Sequence, residues 1–198
     1  MITTITRHWK TVGCHMNPSK TRLSASHKLT KCIIILCAVF IQAAFAQKII
    51  QQHVPNAQKV GGGKLNYLFW DVYSATLYSD DGKWSFNQPF ALTLDYHRKI
   101  SAKDITESSI QIMSDLGFNN QEKLALWEAK MLNIFPDVDK NSRITGVYTE
   151  DKTTIFYNYN EEIGIINDPE FGYWFFSIWL AEKTPKPKLR KKLLGEDR

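Results

Sequence analysis

Beyond residue 46, the chain holds two histidines, four close pairs of acids, a glycine triplet and a lysine-rich stretch that could do chemistry. A metal site needs three or four convergent ligands. His53 and His97 are far apart and belong to no HExxH-like spacing, so they read as surface or strand-end groups. No metal and no cofactor is expected. The acids Asp80/Asp81, Asp137/Asp139, Glu150/Asp151 and Glu161/Glu162 could form general acid–base pairs only if burial drove their pKa values apart. Each pair falls in a turn, where solvation accounts for it. Gly61-Gly62-Gly63 is followed by strand-forming residues, not a helix start, so it suits a bend or a close backbone approach better than a phosphate cradle. No P-loop, GxGxxG or GxSxG pattern occurs. Lys183 to Lys192 carries six positive charges; its ordinary reading is a solvated helix face, with contact to anionic lipid as the alternative.

The elements that would position these residues follow from periodicity. Residues 47–59 are polar and predict an extended lead-in. Lys64 to Ser79 is rich in β-branched and aromatic residues at period two and predicts one long or two consecutive strands, with Tyr73, Ala75 and Leu77 on one face. Phe90 to His97 predicts another, with Phe90, Leu92, Leu94 and Tyr96 together. Ser101 and Asp104 form a capping box for a helix running to about Leu116, stopped by Gly117. A second helix spans Gln121 to Ile134, with Leu124, Trp127, Met131 and Phe135 at helical spacing and Pro136 beyond its end. Arg143–Tyr148, Thr153–Asn158 and Glu162–Ile166 read as three strands joined by hairpins. Asp168-Pro169 opens a helix that lines up Phe171, Trp174, Phe175, Ile178 and Trp179. Lys188 to Leu194 forms a short last helix. This order lacks βαβ alternation and predicts an α+β fold, an antiparallel sheet with helices over one face.

The first 46 residues read differently. Lys28 and Lys31 precede a largely apolar run from Cys32 to Ala46 that ends in Ala44-Phe45-Ala46, the layout of a secretory signal. The run contains Gln42 and is shorter than the ~20 residues of a membrane span. The expectation is a soluble periplasmic protein, 47–198, started at Met16 or Met1 and cleaved after Ala46, with no stable membrane anchor. Six of the 25 basic residues and none of the 20 acidic ones lie in residues 1–46. The full chain's formal charge of +5 therefore becomes 19 positive against 20 negative, a net of −1, for the remainder. That leaves no global basic excess for a phosphate backbone, so nucleic-acid binding is not expected. All three cysteines, Cys14, Cys32 and Cys37, precede the cut, leaving no thiol for a disulfide or nucleophile. The remaining 152 residues suit one domain.

Four segments give the chain a resemblance: GGGKLNYLFWDVYSATLYS, LTLDYHRKISAKDI, FPDVDKNSRITGVYTEDKTTIFYN and DPEFGYWFFSIWL…KPKLRKKLLG. In order and spacing, from about Val60 to Gly195, they resemble bacterial chalcone isomerase-like proteins. The resemblance implies an open-faced β-sandwich, a large antiparallel sheet packed against a layer of helices. The wider family includes plant isomerases that close a flavonoid ring, plant fatty-acid-binding proteins and non-catalytic relatives. The isomerases use an arginine near the Gly-rich strand to stabilise a phenolate, and a tyrosine at the start of the first helix. Here those neighbourhoods read Lys64-Leu65-Asn66 and Ser101, which counts against isomerase activity because positioned charge stabilisation is what that reaction needs. In the fatty-acid-binding relatives a tyrosine on the VY…LY strand helps hold a carboxylate, and Tyr73 matches it.

The resulting expectation is a non-enzymatic protein that binds a small apolar or amphipathic ligand, such as a fatty acid, between sheet and helices. Tyr73 would meet the polar end with Lys64 or Asn66, and Arg98 is a further candidate cation. The alternatives are an isomerase or lyase acting on a small phenolic or enone substrate, and a partner-binding scaffold with a filled interior.

Overall fold

The computed structural model describes residues 48–67 and 70–197. The segment read as an export signal, residues 1–46, lies outside the described residues. Six strands build one antiparallel sheet in which each strand pairs with its sequence neighbour, in the order β1 to β6. They are β1 (Ala57–Tyr67), β2 (Trp70–Asp80), β3 (Phe90–Tyr96), β4 (Arg143–Tyr148), β5 (Thr154–Asn158) and β6 (Glu161–Ile166). Four helices accompany them: α2 (Ala102–Asp115), α3 (Gln121–Ile134), α4 (Pro169–Leu180) and α5 (Pro187–Leu193). A short helix, α1, is described over residues 48–53. The fold is α+β, an open antiparallel sheet with a helical layer. Among the described residues no helix is long and apolar enough to cross a membrane.

The helix ends sit where their side chains can satisfy orphan backbone groups. Ser101 Oγ accepts from the Asp104 N–H at 3.0 Å, the capping half of the expected box, while the Asp104 carboxylate accepts from the Ser101 hydroxyl at 2.6 Å instead of from its backbone N–H. Gly117 follows α2 at φ 113°, a conformation open to glycine without cost. Asn120 caps α3 by accepting from the Lys123 N–H, and Asp168 caps α4 by accepting from the Glu170 N–H, both at 3.0 Å. Period-two alternation then aims Tyr73, Leu77, Leu92, Leu94, Ile144 and Phe156 at the helices, where they join Met113, Trp127, Met131, Phe171 and Phe176 in the main core.

The glycine triplet serves a close approach. A Cβ on Gly61 would fall on the Lys192 carbonyl oxygen and 2.6 Å from that of Leu193, so the end of α5 lies directly on β1. The strand pairing also shifts register between Lys59 and Gly61. Lys64 to Ser79 resolves into two strands, with Tyr67 opposite Trp70.

The extended lead-in is corrected. Residues 48–53 are helical, the Val54 N–H donates to the Ile50 carbonyl at 2.8 Å, and β1 begins at Ala57. Ile50 and Val54 pack with Ala91, Val147, Ile155 and Tyr157, residues that alternate away from the main helical layer. Apolar residues four apart share one helix face, and burying them on the sheet's second face outweighs the weak helical preference of so short a segment.

Candidate functional site

Between the sheet and helices α2 and α4 lies a cavity of about 390 Å3. Leu65, Val72, Tyr73, Leu94, Tyr96 and Ile144 form its sheet side, drawn from four adjacent strands. Phe175, Ile178 and Trp179 of α4 and Ile105, Ile112, Ser108 and Ser109 of α2 form its helix side. Buried Ser109 accounts for part of the space, where a larger apolar residue would reach further toward the sheet. Ser109 is buried and donates its hydroxyl to the Ile105 carbonyl one turn earlier, at 2.7 Å, so its polarity is satisfied within the helix. Ile105 and Ile112 consequently remain only half-buried although both belong to the inward stripe.

The polar groups inside are few. Trp179 Nε1 donates to Tyr73 Oη at 2.8 Å, joining α4 to β2 within the wall. The Tyr73 ring meets that of Tyr96 edge to face, with centroids 5.9 Å apart, as expected of residues paired across β2 and β3. Among the described residues, no hydrogen bond uses the Tyr73 O–H proton or the Tyr96 hydroxyl. Burial pushes the Tyr73 phenol up to about 12, against the smaller opposing effect of the Trp179 hydrogen bond. Burial raises Tyr96 further, and Tyr73 beside it adds to the rise. At neutral pH both are protonated donors, and neither is a base. Asp104 and Lys186 are the only charged side chains among the described lining residues. Asp104 is exposed and engaged with the α2 cap.

Of the four candidate ligand-binding residues, Tyr73 alone lines this cavity. Lys64 is exposed, bonded to Asp71 at 3.0 Å, and borders a neighbouring groove together with Asn66. Arg98 is exposed, with its guanidinium 5.9 Å from the centre of the Trp70 ring. Ser101, at the isomerases' tyrosine position, acts as a helix cap. His53 pairs with Tyr157 Oη and His97 with Ser74 Oγ, each at 2.8 Å, in separate places. Asp139 and Asp151 accept backbone N–H bonds within turns, whereas Asp137 accepts the Ala102 N–H at the start of α2, at 2.9 Å. Sequence reasoning did not single out Tyr96 and Trp179. Both sat in apolar stripes, and only their pairing with Tyr73 distinguishes them from core residues.

A family model described as chalcone isomerase-like matches residues 46–195. The chain belongs to the chalcone isomerase-like family. Among solved structures it is similar to a fatty-acid binding protein of Arabidopsis thaliana, with a TM-score of 0.55 and 14% identity. The likeness covers 72% of this chain and 88% of that one, and it shows a shared fold. Comparison with curated proteins gives no match to the sequence. In this chalcone isomerase-like chain the cavity occupies the space between sheet and helices, the place where the sequence reading set its ligand.

Proposed function

We propose that this protein binds a small apolar or amphipathic molecule, a fatty acid or a compound of similar shape, in the sheet–helix cavity and does not transform it. The observation that carries the reading is an apolar cavity of about 390 Å3 with an unengaged phenol proton on Tyr73 at its wall. That volume falls within the ~300–1,000 Å3 of small-molecule sites, which are mainly apolar with a few orienting polar groups. A ligand oxygen accepting from Tyr73, with Tyr96 beside it, would be oriented without being activated. That the structural neighbour is a fatty-acid binding protein agrees with this reading. The cavity weighs against the alternative of a partner-binding scaffold with a filled interior.

The test is native mass spectrometry on protein purified from cells expressing the full chain, with a thermal-shift panel of acyl compounds. A bound mass that leaves on denaturation, and a melting temperature raised by acyl chains, is the expected result. A ligand-free mass with no shift across the panel would overturn the reading.

We also place this binding in the periplasm, on the strength of the signal-like layout ending at Ala46. Fractionation should recover a chain that begins at Gln47; recovery of residues 1–46 still attached, in the cytoplasm, would refute export.

A further inference from the structure

Beside the cavity, and sharing Leu65 and Lys186 with it, lies a groove of about 520 Å3. Four lysines line the groove, Lys64, Lys186, Lys188 and Lys192, and none of its described lining residues is acidic. Its construction follows from the chain. Period two on β1 sends Leu65 toward the cavity and leaves Lys64 exposed at the next position. Docking of α5 on the glycines of β1 lays the Lys192 stem over Gly63, where a Cβ would come within 2.9 Å of Lys192 Cδ. Pro185 and Pro187, each with a fixed φ, flank Lys186 at the border. Lys64 has Asp71 as a partner at 3.0 Å, whereas Lys186, Lys188 and Lys192 form no ion pair among the described residues.

The cavity and the groove complement each other chemically. Inside, the donors near the polar end are neutral phenols, which can bond an oxygen but cannot compensate a buried charge. Outside, lysine ammonium groups remain solvated and can meet an anion without burying it. Leu65, opposite Tyr73 in the β1–β2 register, lines both spaces, as does Lys186, so the cavity wall that carries Tyr73 borders the lysine groove.

Resting on the binding reading above, we propose that the ligand is an anionic amphiphile. Its chain enters the cavity past Tyr73, and its carboxylate or phosphate head lies on the groove of Lys64, Lys186, Lys188 and Lys192. The lysine-rich stretch is then part of the binding site and not simply a solvated helix face.

The experiment measures the affinities of dodecanoic acid, dodecyl phosphate, dodecanol and inorganic phosphate for the full chain as purified. It compares the wild type with a Lys188→Glu/Lys192→Glu variant, at two lysines that line the groove but not the cavity, and with the cavity-filling variants Ile112→Trp and Ile105→Phe, each confirmed as folded by circular dichroism. The two anionic amphiphiles should bind about tenfold more tightly than dodecanol at low salt. That advantage should vanish in the lysine variant and near about 1 M salt, where screening reaches about 3 Å. Dodecanol binding should be unchanged by the lysine substitutions and lost in a folded cavity-filling variant. Equal affinity for acid and alcohol, with lysine variants unaffected, overturns the headgroup proposal and leaves the cavity reading standing. Undiminished amphiphile binding by both filling variants overturns the cavity reading itself. Inorganic phosphate binding as tightly as dodecyl phosphate overturns the amphiphile in favour of a free anion. The ratio of dodecanoic acid to dodecyl phosphate affinity separates the two head groups.

Discussion

Trp179 on α4 donates its indole N–H to the Tyr73 hydroxyl on β2, at 2.8 Å, so the cavity wall is tied across the two layers at one buried point. Both residues are less than a tenth exposed. The bond uses the oxygen of Tyr73 and leaves its proton unengaged among the described residues, so in the proposed binding the tyrosine would be a ligand donor as well as a strut.

Tyr73→Phe should therefore produce two separable losses. The orphaned Trp179 N–H costs about 1–3 kcal/mol of stability, measured by denaturant unfolding. Affinity for an acyl ligand should fall as well, while Trp179→Phe should lower stability with a smaller effect on affinity. Equal affinity in wild type and Tyr73→Phe would remove the phenol from the site.

Alkaline pH offers a second handle on the same residue. The folded phenol is raised to about 12 from the ordinary 10.0 of the unfolded chain. Its stabilising contribution is complete below pH 10 and is lost as pH climbs toward 12, because the unfolded state releases its proton first. The slope approaches about 1.4 kcal/mol per pH unit for one such group, and Tyr96 steepens it. Unfolding free energies measured through this window should decline less steeply in Tyr73→Phe than in wild type.

Gly61→Val should detach α5 from the sheet. Its side chain would have to occupy the place of the Lys192 and Leu193 carbonyls, which belong to backbone and cannot swing aside. Overpacking of this sort costs about 1–3 kcal/mol or more. Hydrogen exchange resolved along the chain should show protection lost first over Pro187–Leu193; unchanged exchange there would contradict the close approach.

Asp168 joins three parts of the helical layer. One carboxylate oxygen accepts the Glu170 N–H that starts α4, and the other accepts the indole N–H of buried Trp127 at 3.1 Å. Lys123 lies 3.5 Å away and also bonds Glu170. Partial burial would raise the carboxyl's pKa, yet the Trp127 and backbone bonds, with Lys123, together hold it below the ordinary carboxylate range. Its contribution is present above the unfolded value and disappears as pH falls through the depressed folded one. Asp168→Ala should cost about 2–3 kcal/mol from cap and orphaned indole together, and its acid unfolding curve should be flatter than wild type.

The sequence carries most of the fold because caps and periodicities agree. Ser101 with Asp104, Asp168 with Pro169, and the Phe171–Trp179 stripe each mark an element that the structure contains. The cavity was less legible. An inward tyrosine such as Tyr96 has the same pattern whether it packs or orients a ligand, and Ser109 reads as an ordinary helix residue until its neighbours are placed. The lysine groove depends on α5 crossing β1, a contact between residues more than a hundred positions apart. Residues 48–53 hid their helix because six residues cannot display a helical period, and only two of them are apolar.

That hidden helix gives the last prediction. Ile50 and Val54 bury their side chains with Ala91, Val147 and Ile155 on the sheet face turned away from the cavity, and His53 bonds Tyr157 from the same segment. If this cluster stabilises the sheet from behind, Ile50→Ala should cost about 2–5 kcal/mol, the range for deleting a buried isoleucine down to its Cβ. The cavity lies on the opposite face, so ligand affinity measured well below the unfolding transition should be unchanged. A cost below about 0.5 kcal/mol, the size of an ordinary surface substitution, would mean that α1 frays independently and the second face does without it. A large cost with weakened ligand binding would instead show that the two faces are coupled through β3, whose Ala91 and Leu92 point to opposite sides.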